Sequence, residues 1–200
     1  MEIQRPKSQQ PIPDHAKQVF KGVIFDVYQW EQELFDGSKA IFEKLKRPDT
    51  VVIFPILPDG KILLTEQKQP GKDPFIAATG GRVDEGEEVM AAAKRELLEE
   101  SGYEAEEYVL WDVQHPTSKI DWVVYTFIAR GLKKVSDLNL DAGEKIILKP
   151  VAFDEFLDIG TSGLFAEKEI VFKLMEAKFD VKKREELRAL FSIKSSSKMR

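Results

Sequence analysis

The sequence predicts a single α/β domain, and three observations carry that prediction. Apolar residues make up 42% of the 200-residue chain, enough to build a real core within one domain. Short runs rich in valine, isoleucine and aromatics, set between glycine, proline and aspartate turn signals, read as strands. Among them, residues 87–101 hold a run of helix formers followed by Gly102, where a C-cap glycine belongs. No internal repeat, and no linker long enough to separate two domains, breaks this pattern.

Residues 1–17 contain three prolines and little hydrophobicity, so they read as a flexible N-terminal arm. Residues 18–47 read as a β-hairpin extension: a strand through Val23, Val27 and residues 30–34, a tight turn at Asp36-Gly37, and a return strand at 40–45. Such a hairpin either covers the core as an extra sheet or serves dimerisation or substrate enclosure. The main domain is assigned to 48–180. It opens with a second hairpin whose strands flank Pro58-Asp59-Gly60. A glycine- and proline-containing loop and a short strand at 75–78 lead into Thr79-Gly80-Gly81, read as a turn that lets the backbone approach a ligand closely. After the helix come strands at 107–114 and 120–129, a polar loop at 139–145, a strand at 146–153 and helical stretches near 154–159, 167–178 and 182–191. Residues 181–200 form a C-terminal helix and basic tail.

No apolar run reaches the roughly 18 residues of a membrane span, and the N-terminus lacks the apolar core of a signal peptide. A cytoplasmic protein without membrane contact is expected. The absence of cysteine excludes disulfides, thiolate zinc sites and cysteine nucleophiles, and with only His15 and His115 a histidine-rich zinc site is not expected. The net charge of −5 is unevenly spread: residues 82–107 hold ten acids against three bases. Such a patch repels polyanions unless divalent cations bridge to phosphate. The last twenty residues carry seven bases and two acids, read as a solvated helix and frayed end rather than a nucleic-acid arm.

Within the acidic region, Glu96, Glu99 and Glu100 share one stripe of the helix, Glu99 lying roughly 60° to one side of Glu96 and Glu100 roughly 40° to the other. Carboxylates that close repel unless a cation sits among them, and hard oxygen ligands suit Mg²⁺, Mn²⁺ or Ca²⁺. A solvated acidic face is the plain alternative.

The stretch around them resembles the signature of the Nudix hydrolases, G-x5-E-x7-R-E-U-x-E-E-x-G-U with U a bulky hydrophobe. Gly81, Glu87, Arg95, Glu96, Leu97, Glu99, Glu100, Gly102 and Tyr103 fill every specified position. Chance agreement at the seven fixed identities is on the order of 10⁻⁸ per starting position. The resemblance implies a Nudix α/β/α sandwich with a mixed β-sheet, an N-terminal β-hairpin extension and C-terminal helices. It implies attack by metal-activated water on the diphosphate of a nucleoside diphosphate derivative, a small-molecule substrate. By position it implies Glu96, Glu99 and Glu100 as ligands of Mg²⁺, with Mn²⁺ as the alternative, the Gly80 carbonyl as a further ligand, and Arg95 as the residue orienting the carboxylates. Glu87 braces the loop.

The N-terminal hairpin, Glu66-Gln67 and the loop around Glu144 look like the ADP-ribose and nucleotide-sugar pyrophosphatase branch. That likeness implies a homodimer through the hairpin, and Glu144 as catalytic base or added metal ligand, against a solvent-facing carboxylate. The branch commonly places an arginine where Gln69 stands, and differs also before Gly81 and at Pro116. Trp30, Gln69 and Arg82 are the candidate substrate contacts, Trp30 by stacking on a base unless it is a sheet-packing residue. A house-cleaning triphosphate pyrophosphatase and an ADP-ribose-binding regulator without turnover are the competing readings.

Overall fold

The computed structural model describes residues 3–140, 143 and 145–193. Among the described residues, thirteen strands and four α-helices run in the order β1 (Lys17–Lys21), β2 (Asp26–Glu33), β3 (Lys39–Lys46), β4 (Thr50–Pro55), β5 (Ile62–Lys68), β6 (Phe75–Ala77), β7 (Thr79–Arg82), α1 (Val89–Ser101), β8 (Tyr103–Glu104), β9 (Glu107–Gln114), β10 (Ile120–Asp121), β11 (Val124–Arg130), β12 (Lys133–Lys134), β13 (Lys145–Val151), α2 (Phe153–Gly160), α3 (Val171–Phe179) and α4 (Val181–Leu190). One turn of 3₁₀ helix, Lys168–Ile170, leads into α3.

The central sheet has the order β7-β4-β11-β9, with β4 and β11 parallel and the outer pairs antiparallel. Its middle strands are apolar on both faces, so both faces must be covered. Val51, Ile53, Tyr125 and Phe127 pack with Ala92, Ala93 and Leu97 of α1. Val52, Phe54, Val124 and Ile128 pack instead with Phe156, Leu174, Leu187 and Phe191 from α2 to the end of α4. Alternation along β4 thus sends odd residues to α1 and even residues to the other helices, which is the expected α/β/α sandwich with a mixed sheet. Among the described residues, no helix is long and apolar enough to cross a membrane.

Four sequence expectations change. Strands β4 and β5 do not form a hairpin ladder: the Asp59-Gly60 turn closes on a single bridge, Ile56 to Ile62, and the strands then part. Both edges of β4 are already taken by β7 and β11, so β5 joins a separate sheet of order β13-β5-β6. Likewise the strand expected at 120–129 breaks at Trp122-Val123, with β10 pairing with β3 and β11 entering the central sheet. The N-terminal extension is a three-stranded meander, because residues 17–21, counted partly to the arm, pair with β2.

The arm itself is held down. Arg5 donates to Asp49 and Asp121 at 2.8 and 3.0 Å, and the buried Lys44 donates to Ser8 Oγ and the Gln10 carbonyl. These pairs fix residues 5–10 across the junction of the N-terminal and central sheets, contrary to the flexibility expected from prolines.

Candidate active site

Helix α1 forms because Ala92, Ala93 and Leu97 are buried together against the central sheet, and it stops at Gly102. There φ is +68° and the backbone N–H bonds the Leu98 carbonyl. At its other end the helix starts at Val89, not at Glu87, and its first turn carries no acid; Asp84, Glu85 and Glu87 lie in the preceding loop. Glu87 accepts the Asp84 backbone N–H at 3.1 Å and faces Arg95.

Arg95 is the hub. Its Nε and Nη2 take both oxygens of Glu87 at 3.0 and 2.9 Å, a bidentate pair. Nη1 donates to Glu96 at 2.8 Å and to Glu99 at 3.1 Å, and Nη2 also reaches the Arg82 carbonyl at 2.9 Å. The hydrogen bonds from Arg95 hold the Glu87 carboxyl below its usual range, while Glu87 first and then Glu96 raise the guanidinium further above its own. One cation therefore ties the acidic loop, the end of β7 and two helix carboxylates together.

Glu100 is buried and accepts the Gly80 backbone N–H at 2.8 Å. The Gly80-Gly81 pair, expected as a turn, is instead extended strand opposite Val52 and Val51 of β4. The absence of side chains permits this. A Cβ on Gly80 would stand 2.2 Å from the Val51 carbonyl oxygen, and one on Gly81 2.3 Å from Glu96 Oε1. The helix carboxylates, rather than a turn, make the close approach.

Gly80, Arg82, Glu87, Arg95, Glu96, Glu99 and Glu100 are thus brought together. Their donor chemistry, carboxylates beside strand backbone, fits a hard divalent cation. As they stand, Glu96 and Glu99 are engaged by Arg95 and Glu100 by Gly80, and among the described residues no three acids or histidines are arranged as a ready metal cage. Binding a cation requires these carboxylates to turn.

The other candidates lie elsewhere. Trp30 is buried in β2, tilted against Phe42 and donating to Gln32, so it packs the N-terminal sheet. Gln69 lines a cavity with Lys68 and Lys72. Glu144 lies outside the described residues.

Two residues went unread in the sequence. The Arg47 guanidinium lies 4.6 Å from the Trp122 ring centroid and 5.7 Å from that of Phe25, with its Nε sealed from solvent and unpartnered. Burial, then Arg82 nearby, lowers its pKa. Glu167 has its Oε2 sealed and unpartnered, and burial pushes its carboxyl up to about 8. Neither belongs to a motif; both stand out only through burial.

A NUDIX domain matches residues 46–170. The chain is 30% identical over 146 residues to the "Methanol dehydrogenase activator" of Bacillus methanolicus, covering 71% of this chain and 78% of that protein. It is 27% identical over 146 residues to the "ADP-ribose pyrophosphatase" of Bacillus subtilis, covering 72% and 79%. It is 30% identical over 99 residues to the "ADP compounds hydrolase NudE" of Escherichia coli, covering 48% and 53%. A solved structure titled "Crystal structure of ADP compounds hydrolase" superposes with a TM-score of 0.66 at 22% identity, covering 90% of this chain and 98% of that one. With a domain match across more than half its length and the arginine-glutamate cluster standing at the end of β7, the chain belongs to the Nudix hydrolase family.

Proposed function

We propose that this protein hydrolyses the diphosphate linkage of a nucleoside diphosphate derivative, ADP-ribose or a nucleotide sugar, with Mg²⁺ as cofactor and Mn²⁺ as a substitute. The observation that carries this reading is the convergence of Glu96, Glu99 and Glu100 with Arg95 on the Gly80-Gly81 strand. The names of the Bacillus subtilis and Escherichia coli relatives support the substrate class.

In this reading Glu96, Glu99 and Glu100 hold the cation, with the Gly80 carbonyl as an added donor. A bound divalent cation neutralises phosphate charge and lowers the pKa of water. With Glu96 and Glu99 turned toward a cation, Arg95 would still keep the acidic loop in place through its bidentate pair with Glu87. Glu144 is the proposed base, Arg82 and Gln69 the proposed substrate contacts, and Arg47 is added to them for its exposed neighbour Arg82 and aromatic surround. Trp30, buried against Phe42, is assigned a packing role in the N-terminal sheet.

The test is incubation with ADP-ribose, nucleotide sugars, dinucleotides and nucleoside triphosphates in Mg²⁺, with the products identified. Nucleoside monophosphate from the first two classes is expected, and Glu100→Gln should reduce turnover at least about 100-fold while leaving the fold intact. Inertness toward the whole panel, or full activity in Glu100→Gln, would sink the assignment.

A further inference from the structure

At the open end of the β13-β5-β6 sheet, Lys68 and Lys145 are direct cross-strand partners. Like charges opposed in this way destabilise a strand pair. A third lysine, Lys72, lies beside them with its Nζ 3.4 Å from the centroid of the Phe75 ring. Together with Gln69, Asp73 and Gly143 they line a cavity of about 550 Å³. Among the described residues none of the three lysines enters an ion pair, and among the described lining residues three ammonium groups meet one carboxylate, Asp73.

The loops around the cavity leave room for a ligand. Gly71 has φ of +73° with nothing within 4 Å of where a Cβ would stand, and the nearest atom to a Cβ on Gly143 is Pro70 Cδ at 4.0 Å. The cavity also adjoins the carboxylate site through the chain. Strand β6 leads from Phe75 toward Gly80, and at the end of α1 the Asn139 N–H bonds the Glu99 carbonyl at 2.8 Å. A phosphomonoester carries a charge of about −1.5 to −2 at neutral pH, which suits a site where several ammonium groups converge. Each phosphorus of a diphosphate diester carries only one.

We propose that Lys68, Lys72 and Lys145 form a phosphomonoester subsite, filled by a phosphate that the substrate carries outside its scissile diphosphate or by free inorganic phosphate. The proposal rests on the diphosphate-hydrolase reading for its substrate arm alone. Without that reading the cavity remains a phosphate site.

Calorimetric titration of the metal-free chain with inorganic phosphate tests it directly. Saturable binding is expected, weakened at least about tenfold in Lys72→Gln/Lys145→Gln. In Mg²⁺, kcat/KM for ADP-ribose 2′-phosphate over ADP-ribose distinguishes the two sources. A preference of about tenfold that collapses toward unity in the double variant identifies a substrate phosphate. No preference, with inorganic phosphate changing ADP-ribose kinetics only in the wild type, identifies free phosphate. Phosphate binding that is equally weak in wild type and variant overturns the subsite. Lysine-dependent phosphate binding without turnover of either nucleotide keeps the subsite and overturns the substrate reading.

Discussion

Gly80 and Gly81 are neighbours in one strand, yet their missing side chains make room for different things. Above Gly80 lies backbone, the Val51 carbonyl of β4; above Gly81 lies the free end of a flexible side chain, Glu96. Backbone in a central sheet does not yield easily, whereas a glutamate rotates. Gly80→Ala should therefore destabilise the protein by about 2–3 kcal/mol in denaturant unfolding. Gly81→Ala should unfold within about 1 kcal/mol of wild type but lose most of its turnover, because it pushes Glu96 out of the cluster. Equal stability losses in the two variants would show that Glu96 is as immovable as the strand. At this scale the sequence was most legible where spacing alone decides: Arg95 one helical turn before Glu99 does pair with it, at 3.1 Å. Arg47 and Glu167 were illegible because nothing local marks them; their character comes from Trp122, Phe25 and Ala78, all distant in sequence.

Elements were read well where local signals set them and poorly where partners did. Helix α1 ends at Gly102 as expected, since a left-handed cap is a property of the glycine itself. Strands β4 and β5 show the opposite case, their turn correct but their pairing decided by β7 and β11. The segment before α3 is a further example. It was assigned no strand character, yet it runs beside β6, with the Ile76 N–H bonding the Leu164 carbonyl and the Ala166 N–H bonding the Ile76 carbonyl. This pairing carries the Glu167 carboxyl to the passage from β6 to β7 at Ala78. The ordinary value for this carboxyl is 4.5, and in the fold burial raises it to about 8. Between those values the native protein keeps a proton that the unfolded chain releases. The stability it contributes is full below about pH 4.5 and is lost as pH rises through 8. From pH 5 to 8.5, wild type should lose on the order of 3 kcal/mol relative to Glu167→Gln in urea unfolding. Parallel stability profiles for the two proteins would show that the carboxyl reaches solvent.

For the whole molecule, the sandwich around β4 and β11 was legible because both strands are apolar on both faces, which demands a layer of helix on each side. The N-terminal sheet was only half legible. Its strands were marked by alternation, but its exposed Val19, Phe20, Val23 and Ile41 have no covering layer among the described residues. An apolar surface of this kind is ordinarily shared with another molecule. The expected homodimer through this sheet remains a proposal that the exposure supports. Sedimentation should show a dimer at micromolar concentration, shifted to monomer by Phe20→Ser/Val23→Ser. A monomeric wild type would mean that the sheet serves another purpose.

The pairing of Arg95 with Glu87, Glu96 and Glu99 has a last consequence for how the molecule comes into being. One guanidinium of the same helix offsets part of the most crowded negative charge in the chain, so α1 can dock on the sheet with its carboxylates already held by a neighbour. The acidic cluster thus carries a counter-ion of its own through folding, and its shape is set by the chain itself.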